Sequence, residues 1–178
     1  MSRPRPPKPA KLVISTFMRD RPILEPVLRD LCIERGPVDM ISPWMHFDHT
    51  HYYSAEMGEP LFRRMLVFKE LIEQQNLADI KHFTNRVEDR FSNSTRRRVN
   101  IDPGYLLLER FVLATGKNYS HRIFIGKGIY ADLTLVFRSG SFQPLAWTYP
   151  DYREERMRRY INAVRCKYLY DLKRRSRT

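Results

Sequence analysis

Two helical stripes, each enclosed by short apolar runs that suit strands, point this chain to mixed α and β architectures. Leu77, Ile80, Phe83, Thr84, Val87 and Phe91 recur at helical spacing, with Asn76 as candidate cap and Asp79 three residues on. Ile23, Leu24, Val27, Leu28 and Leu31 form a second face, with Asp20 as candidate cap, Pro22 in the first turn and Gly36-Pro37 as the stop. Around them stand runs at 12–18, 38–41, 61–71 and 97–102, rich in residues that suit strands. The 61–71 run can also be read as a helix, because a short apolar run has no decisive period. Pro103-Gly104 is expected to stop the 97–102 strand, as a type II turn with Asp102 bonded to the turn amides. Strand, helix, strand, strand, helix, strand is the order of a ferredoxin-like βαββαβ unit.

Residues 105–115 are apolar nearly throughout and read as a buried helix. Two hairpins follow, turning at Gly126-Lys127-Gly128 and at Ser139-Gly140. A last helix opens at Asp151, with Glu154 three residues on as in a capping box. Its apolar stripe is Met157, Tyr160, Ile161, Val164, Tyr168 and Leu172. The expected fold is therefore α+β: the ferredoxin-like unit extended by antiparallel β-hairpins and a C-terminal helix. A single domain over 12–172 carries a basic, proline-rich tail at 1–11 and a basic tail at 173–178. No apolar run reaches the roughly 20 residues of a membrane span, so no membrane partner is expected. The opening residues do not read as a secretory leader. Cys32 and Cys166, both in helical patterns, suit reduced and buried thiols in a cytoplasmic protein.

The net charge of +12 is unevenly placed. Residues 1–11 carry Arg3, Arg5, Lys8 and Lys11 with no acid, and residues 153–178 carry ten Lys/Arg against three acids. The body between them is left at +1. Attraction for anions is thus expected from the ends, with Arg3, Arg5, Lys8, Lys173, Arg174 and Arg175 as candidate nucleic-acid contacts.

Several segments resemble the bacterial family known as domain of unknown function 4416. They are Gly36-Pro37-Val38-Asp39, Tyr52-Tyr53 with Glu56-Met57-Gly58, Phe83-Thr84-Asn85, and the stretches 98–105, 117–123, 126–130 and 147–152. The resemblance spans roughly residues 12–170. It implies family membership and carries over neither an activity nor catalytic residues.

The densest set of chemically capable side chains is Asp102, Tyr105, Lys117, His121, Arg122, Tyr130 and Asp132. Asp102, His121 and Asp132 are the candidate catalytic groups, and Tyr105, Lys117, Arg122 and Tyr130 the candidate ligand contacts. The hairpin loop decides what Asp132 meets. A three-residue loop at 126–128 sets Arg122 opposite it, as a cross-strand salt bridge. A two-residue loop sets His121 there, as an oriented acid or base. The salt bridge is the more ordinary outcome. Thr115-Gly116-Lys117 is no phosphate loop, because Phe111 stands where the first glycine belongs. His46, His49 and His51, with Asp48 among them, are weak candidate metal ligands, surface histidines being the default.

Three readings of function follow. The first is a non-catalytic binding module for a polyanion, RNA or ribonucleoprotein above all. The second is an enzyme or specific binder for a small anionic or phosphorylated metabolite, which requires the Asp102–Asp132 set to converge in one cleft. The third is a partner-binding protein using the proline-rich start or the aromatic 147–152 segment. No residue string specifies a cofactor.

Overall fold

The computed structural model describes residues 3–48, 53–93 and 96–175. Strands run at Ala10–Met18 (β1), Val38–Ile41 (β2), Met45–His46 (β3), Phe62–Ile72 (β4), Val99–Leu106 (β5), Arg110–Thr115 (β6), Arg122–Phe124 (β7), Tyr130–Arg138 (β8) and Ser141–Pro144 (β9). Helices run at Leu24–Arg35 (α1), Ser54–Met57 (α2), Leu77–Arg90 (α3), Pro150–Arg153 (α4) and Glu155–Arg175 (α5). Among the described residues the strands form one antiparallel sheet in the order β2-β4-β1-β5-β6-β8-β7, with β3 joined to β4 and β9 to β8.

The sheet is covered on both faces at its centre. Leu12, Ile14, Leu66, Phe68, Val99 and Ile101 meet Val27 and Leu31 of α1 and Ile80, Phe83 and Val87 of α3. On the other face Val13, Met65, Val67, Leu106, Phe111 and Leu135 meet Met157, Ile161, Val164 and Tyr168 of α5. That stripe of α5 is the one expected from spacing, since a helix lying on a sheet buries one side of every turn. A register shift between Lys11 and Val13 puts Ala10 and Val13 on the same face. The 61–71 run is a strand, the preferred of its two readings.

Two expectations fail between residues 97 and 115. Pro103-Gly104 does not end the fourth strand, which continues to Leu106. Successive backbone N–H groups point to alternate edges, and that of Ile101 points away from β1, to the Glu88 carboxylate. Pro103 therefore lacks its N–H on the same edge, where β6 pairs with nothing before Gly104. A Cβ at Gly104 would lie 2.4 Å from Val112 O, so the glycine admits a close strand and makes no turn. Residues 105–115 are not a helix. They finish β5, turn with Leu107 N–H donating to Arg110 O, and return as β6. A strand buried on both faces is apolar at every position, so its periodicity disappears.

The helix ends differ too. Asn76 and Asp20 make no side-chain cap bond, and a 3-10 turn precedes α3 and α1 instead. Asp151 does not cap α5. The chain makes the single turn α4, extends at Glu154 (ψ 140°) and only then enters α5, while Asp151 turns inward. Cys32 is half-buried and Cys166 exposed rather than buried, and both are free thiols. Among the described residues no helix is long and apolar enough to cross a membrane.

Candidate functional site

The hairpin between β7 and β8 takes the three-residue loop. Ile125 N–H donates to Ile129 O at 2.9 Å, Gly126, Lys127 and Gly128 all have positive φ, and Arg122 lies opposite Asp132. Both partners reach the same carboxylate all the same. Arg122 Nε donates to Asp132 Oδ2 at 2.9 Å, and His121 Nε2 lies 3.3 Å from that oxygen. The Thr134 hydroxyl lies 3.3 Å from Oδ1. Asp132 is almost fully buried, and a buried carboxylate needs such donors.

Arg122 ties three chain segments together. Its Nη1 donates to Lys117 O at 3.0 Å and its Nη2 to the Tyr149 hydroxyl at 2.5 Å. The His121 ring stacks on Trp147, centroids 5.1 Å apart and 13° from parallel, with Tyr119 edge-on at 5.2 Å. Trp147 is itself anchored by Nε1–H to Leu133 O. The salt bridge and the oriented histidine therefore coexist.

The rest of the expected set lies elsewhere. Asp102 sits on β5, two strands from β8, bound to Lys81 Nζ at 3.1 Å and Asn100 Nδ2 at 2.6 Å. Tyr105 packs half-buried between two core clusters, and Tyr130 packs edge-on to Phe124. Lys117 joins the Asp132 group through its carbonyl. Trp147, Tyr149, Thr134 and Tyr119 escaped the sequence reading as site residues. Two of the family-like stretches, 117–123 and 147–152, contain all of these but Thr134. That recurrence was the available signal.

A second polar group closes the part of β5 that β6 leaves open. Glu88 Oε1 accepts Ile101 N–H at 2.6 Å and Lys81 Nζ donates to Ile101 O at 3.0 Å, so two α3 side chains replace a neighbouring strand. Arg97 bridges Glu56 and Asn100 beside them. Burial pushes the Glu88 carboxyl up to about 7. Asp102 adds to the rise, while Lys81, the Ile101 N–H and Arg97 oppose it. A third group is the buried pair of Arg63 and Asp151, with the guanidinium over Phe47 at 4.5 Å and Tyr152 at 5.1 Å.

The cationic ends meet. Lys11, counted with the N-terminal tail, is a fully buried residue of β1, bound to Asp171 at 2.7 Å and Asp39 at 3.3 Å. Lys167 bridges the same two acids at 2.5 and 2.7 Å. Burial opposes it, but hydrogen bonds from Lys11 and Lys167 hold the Asp171 carboxyl below the usual carboxylate range. The Tyr168 hydroxyl donates to Pro9 O at 2.7 Å. Arg3, Arg5 and Lys8 are thus exposed just before a point pinned to α5. Lys173, Arg174 and Arg175 are exposed on the last turn of α5, continuing the helix where a tail was expected.

His46 is exposed and packs against Phe62, while His49 and His51 lie outside the described residues. Among the described residues no three or more His, Cys, Asp or Glu side chains are grouped to hold a metal. A groove of about 370 Å³ between α1 and α3 is lined by Asp30, Ile33, Glu34, Phe83, Arg86 and Arg90, none of them an expected site residue.

The family model described as Domain of unknown function (DUF4416) matches residues 8–168, most of the chain, and the chain belongs to that family. No curated protein and no solved structure matches it.

Proposed function

We propose that this family member is a non-catalytic binding module for a polyanion, RNA being the polyanion that suits it best. The observation that carries this reading is the clamp of Lys11, Asp39, Lys167 and Asp171, which brings the two cationic ends to one place. It cancels the charges of its own lysines, and exposed cations lead from it on both chain segments, Arg3, Arg5 and Lys8 before it and Lys173, Arg174 and Arg175 on α5. From there α5 carries eight Lys/Arg against Glu155 and Asp171 over 21 residues. A positive stripe of that kind attracts phosphates at any sequence.

We read the strand order β2-β4-β1-β5 with α1 and α3 on one face as a ferredoxin-like unit. RNA-binding members of that architecture stack bases on the open sheet face. Here α5 covers that face, which moves binding to the helix itself and to the sheet edges. The two free cysteines suit a reducing, cytoplasmic setting.

The test is the salt dependence of RNA affinity. Neutralising about six phosphates gives a log–log slope near −4 on a single strand. Replacing Lys173, Arg174 and Arg175 together by Glu should bring that slope to about −2 and lower affinity at every sequence. No binding by the parent protein at low salt would end the proposal.

A second reading, a binder or enzyme for a small anionic metabolite, rests on the imidazole of His121 being held by Asp132 and Trp147. Against it, Arg122 already serves three protein oxygens. A thermal shift by nucleotides or sugar phosphates, lost in His121→Gln, would favour this reading.

A further inference from the structure

Exposed apolar side chains gather at the β7 edge of the sheet. Tyr119 is 65% exposed, Ile123 71%, Phe124 59%, Tyr149 44% and Trp147 40%. Scattered singly they would need no explanation, but they belong to β7, the loop before it and the 147–149 segment that Arg122 ties to it. The tertiary structure holds them there at a cost in exposed apolar surface. Trp147 is fixed at both its N–H and its ring, and Tyr149 at its hydroxyl, so these rings are preorganised.

The segments that build this edge contain few acids. Between residues 110 and 150 the chain has five Lys/Arg and one acid, Asp132; of the five, Arg122 pairs with Asp132, Arg110 with Glu109 and Lys127 with Asp79. Residues 12–109 carry thirteen Lys/Arg against fifteen acids. The acidic side chain that reaches across to the hairpin loop, Asp79, is bound to Lys127. The cation that stands among the aromatics is Arg153, exposed and donating to the carbonyls of Leu145, Ala146 and Thr148 around Trp147. An aromatic surface with a guanidinium beside it is the makeup of a base-stacking platform.

We infer that the β7 edge is a stacking site for the unpaired bases of a single-stranded nucleic acid, with Tyr119, Phe124 and Trp147 as its platforms. This rests on the polyanion reading and adds the strandedness of the ligand. His121 and Trp147 already form a stack with centroids 5.1 Å apart, with Tyr119 edge-on to His121 at 5.2 Å, and Trp147 and Tyr119 are exposed. A base laid on Trp147 extends the stack and one laid on Tyr119 finds a separate platform, whereas bases inside a duplex are covered on both faces by their neighbours. The site is continuous with the cationic stripe. Helix α5 begins six residues after Tyr149 and runs roughly 30 Å toward the clamped ends, so one strand can follow it. Addition of a partner strand to β7 is the weaker use of the edge, since its three residues offer few backbone bonds.

The experiment titrates the full chain with a short single-stranded RNA of mixed sequence and with the same RNA annealed to its complement. Tyr119→Leu and Phe124→Ser, both at exposed positions, should each weaken single-strand binding roughly 5- to 100-fold. Duplex affinity and the salt slope should not change. In a Trp44→Phe background, Trp147 emission should be quenched by the single strand and not by the duplex. If both variants bind like the parent and Trp147 stays silent, the stacking site is wrong, although the polyanion reading survives where the Lys173–Arg175 charge reversal still weakens binding. Equal parental affinity for single strand and duplex also overturns the stacking site. Absence of binding to either RNA removes both proposals. A concentration-dependent dimer formed without RNA and abolished by Phe124→Ser would assign the edge to a second copy of the chain, and overturns the inference.

Discussion

Asp151 and Asp132 are both buried carboxylates paired with an arginine, yet they sit in opposite settings. Asp151 meets Arg63 inside a box of Phe17, Phe47 and Tyr152, and both side chains are at least nine-tenths buried. Asp132 meets Arg122 near the sheet edge in a pair just as buried, but there the same guanidinium also holds a backbone carbonyl and an exposed tyrosine. Around the first pair stand aromatic rings in place of further acceptors, so each ion depends on the other. The second is shared among several partners and organises a surface. The same two residue types therefore serve the fold in one place and present a face to solvent in the other.

The comparison is broken most severely at Asp151. Asp151→Ala strands Arg63 in an apolar box and should cost about 3–5 kcal/mol of stability in urea unfolding. A cost under about 1 kcal/mol would mean that water reaches the box and that the two pairs are alike.

Glu88 sharpens the contrast, being buried with weaker cationic support than either aspartate. Its folded pKa of about 7 lies above the ordinary 4.5, so the folded state keeps a proton that the unfolded chain releases between those values. Its contribution to stability is fully present below about pH 4.5 and is lost as pH rises through 7. Glu88→Gln keeps an acceptor for Ile101 N–H and removes the titration. The variant should match the parent near pH 4 and exceed it by about 3 kcal/mol at pH 8. Parallel stability curves across that range would refute the burial argument.

The smallest effect is expected at the edge. Asp132→Ala should cost about 1–3 kcal/mol, because Arg122, although buried, keeps Lys117 O and the Tyr149 hydroxyl as acceptors. Trp147 emission should change more than stability does, as His121 loses the carboxylate that holds it on the indole. A loss as large as that at Asp151 would make the edge cluster a core element.

The helices α1 and α3 and the stripe of α5 were legible because each buries one side, and one-sided burial writes a period into the chain. The strands before residue 100 were legible as short runs that suit strands. The stretch from Pro103 to Thr115 was not, since two-sided burial erases that period and a proline facing an unoccupied edge looks like a stop. At the candidate site, Arg122 opposite Asp132 could be worked out from the hairpin loop. Trp147 and Tyr149 could not, lying 15 and 17 residues beyond Asp132 and reaching it only because the chain folds back at Ser139-Gly140.

By itself the sequence determined family membership, the one-sided helices and the amount of charge in each segment, because these are local or additive properties. Tertiary structure decided where the charge acts. Lys11 is taken inside and cancelled, Asp151 is turned from a helix cap into a core ion, the two ends are clamped together and the aromatic residues are gathered at one edge. Each of these depends on partners dozens of residues away, and a contact at that separation leaves no spacing in the chain to be read.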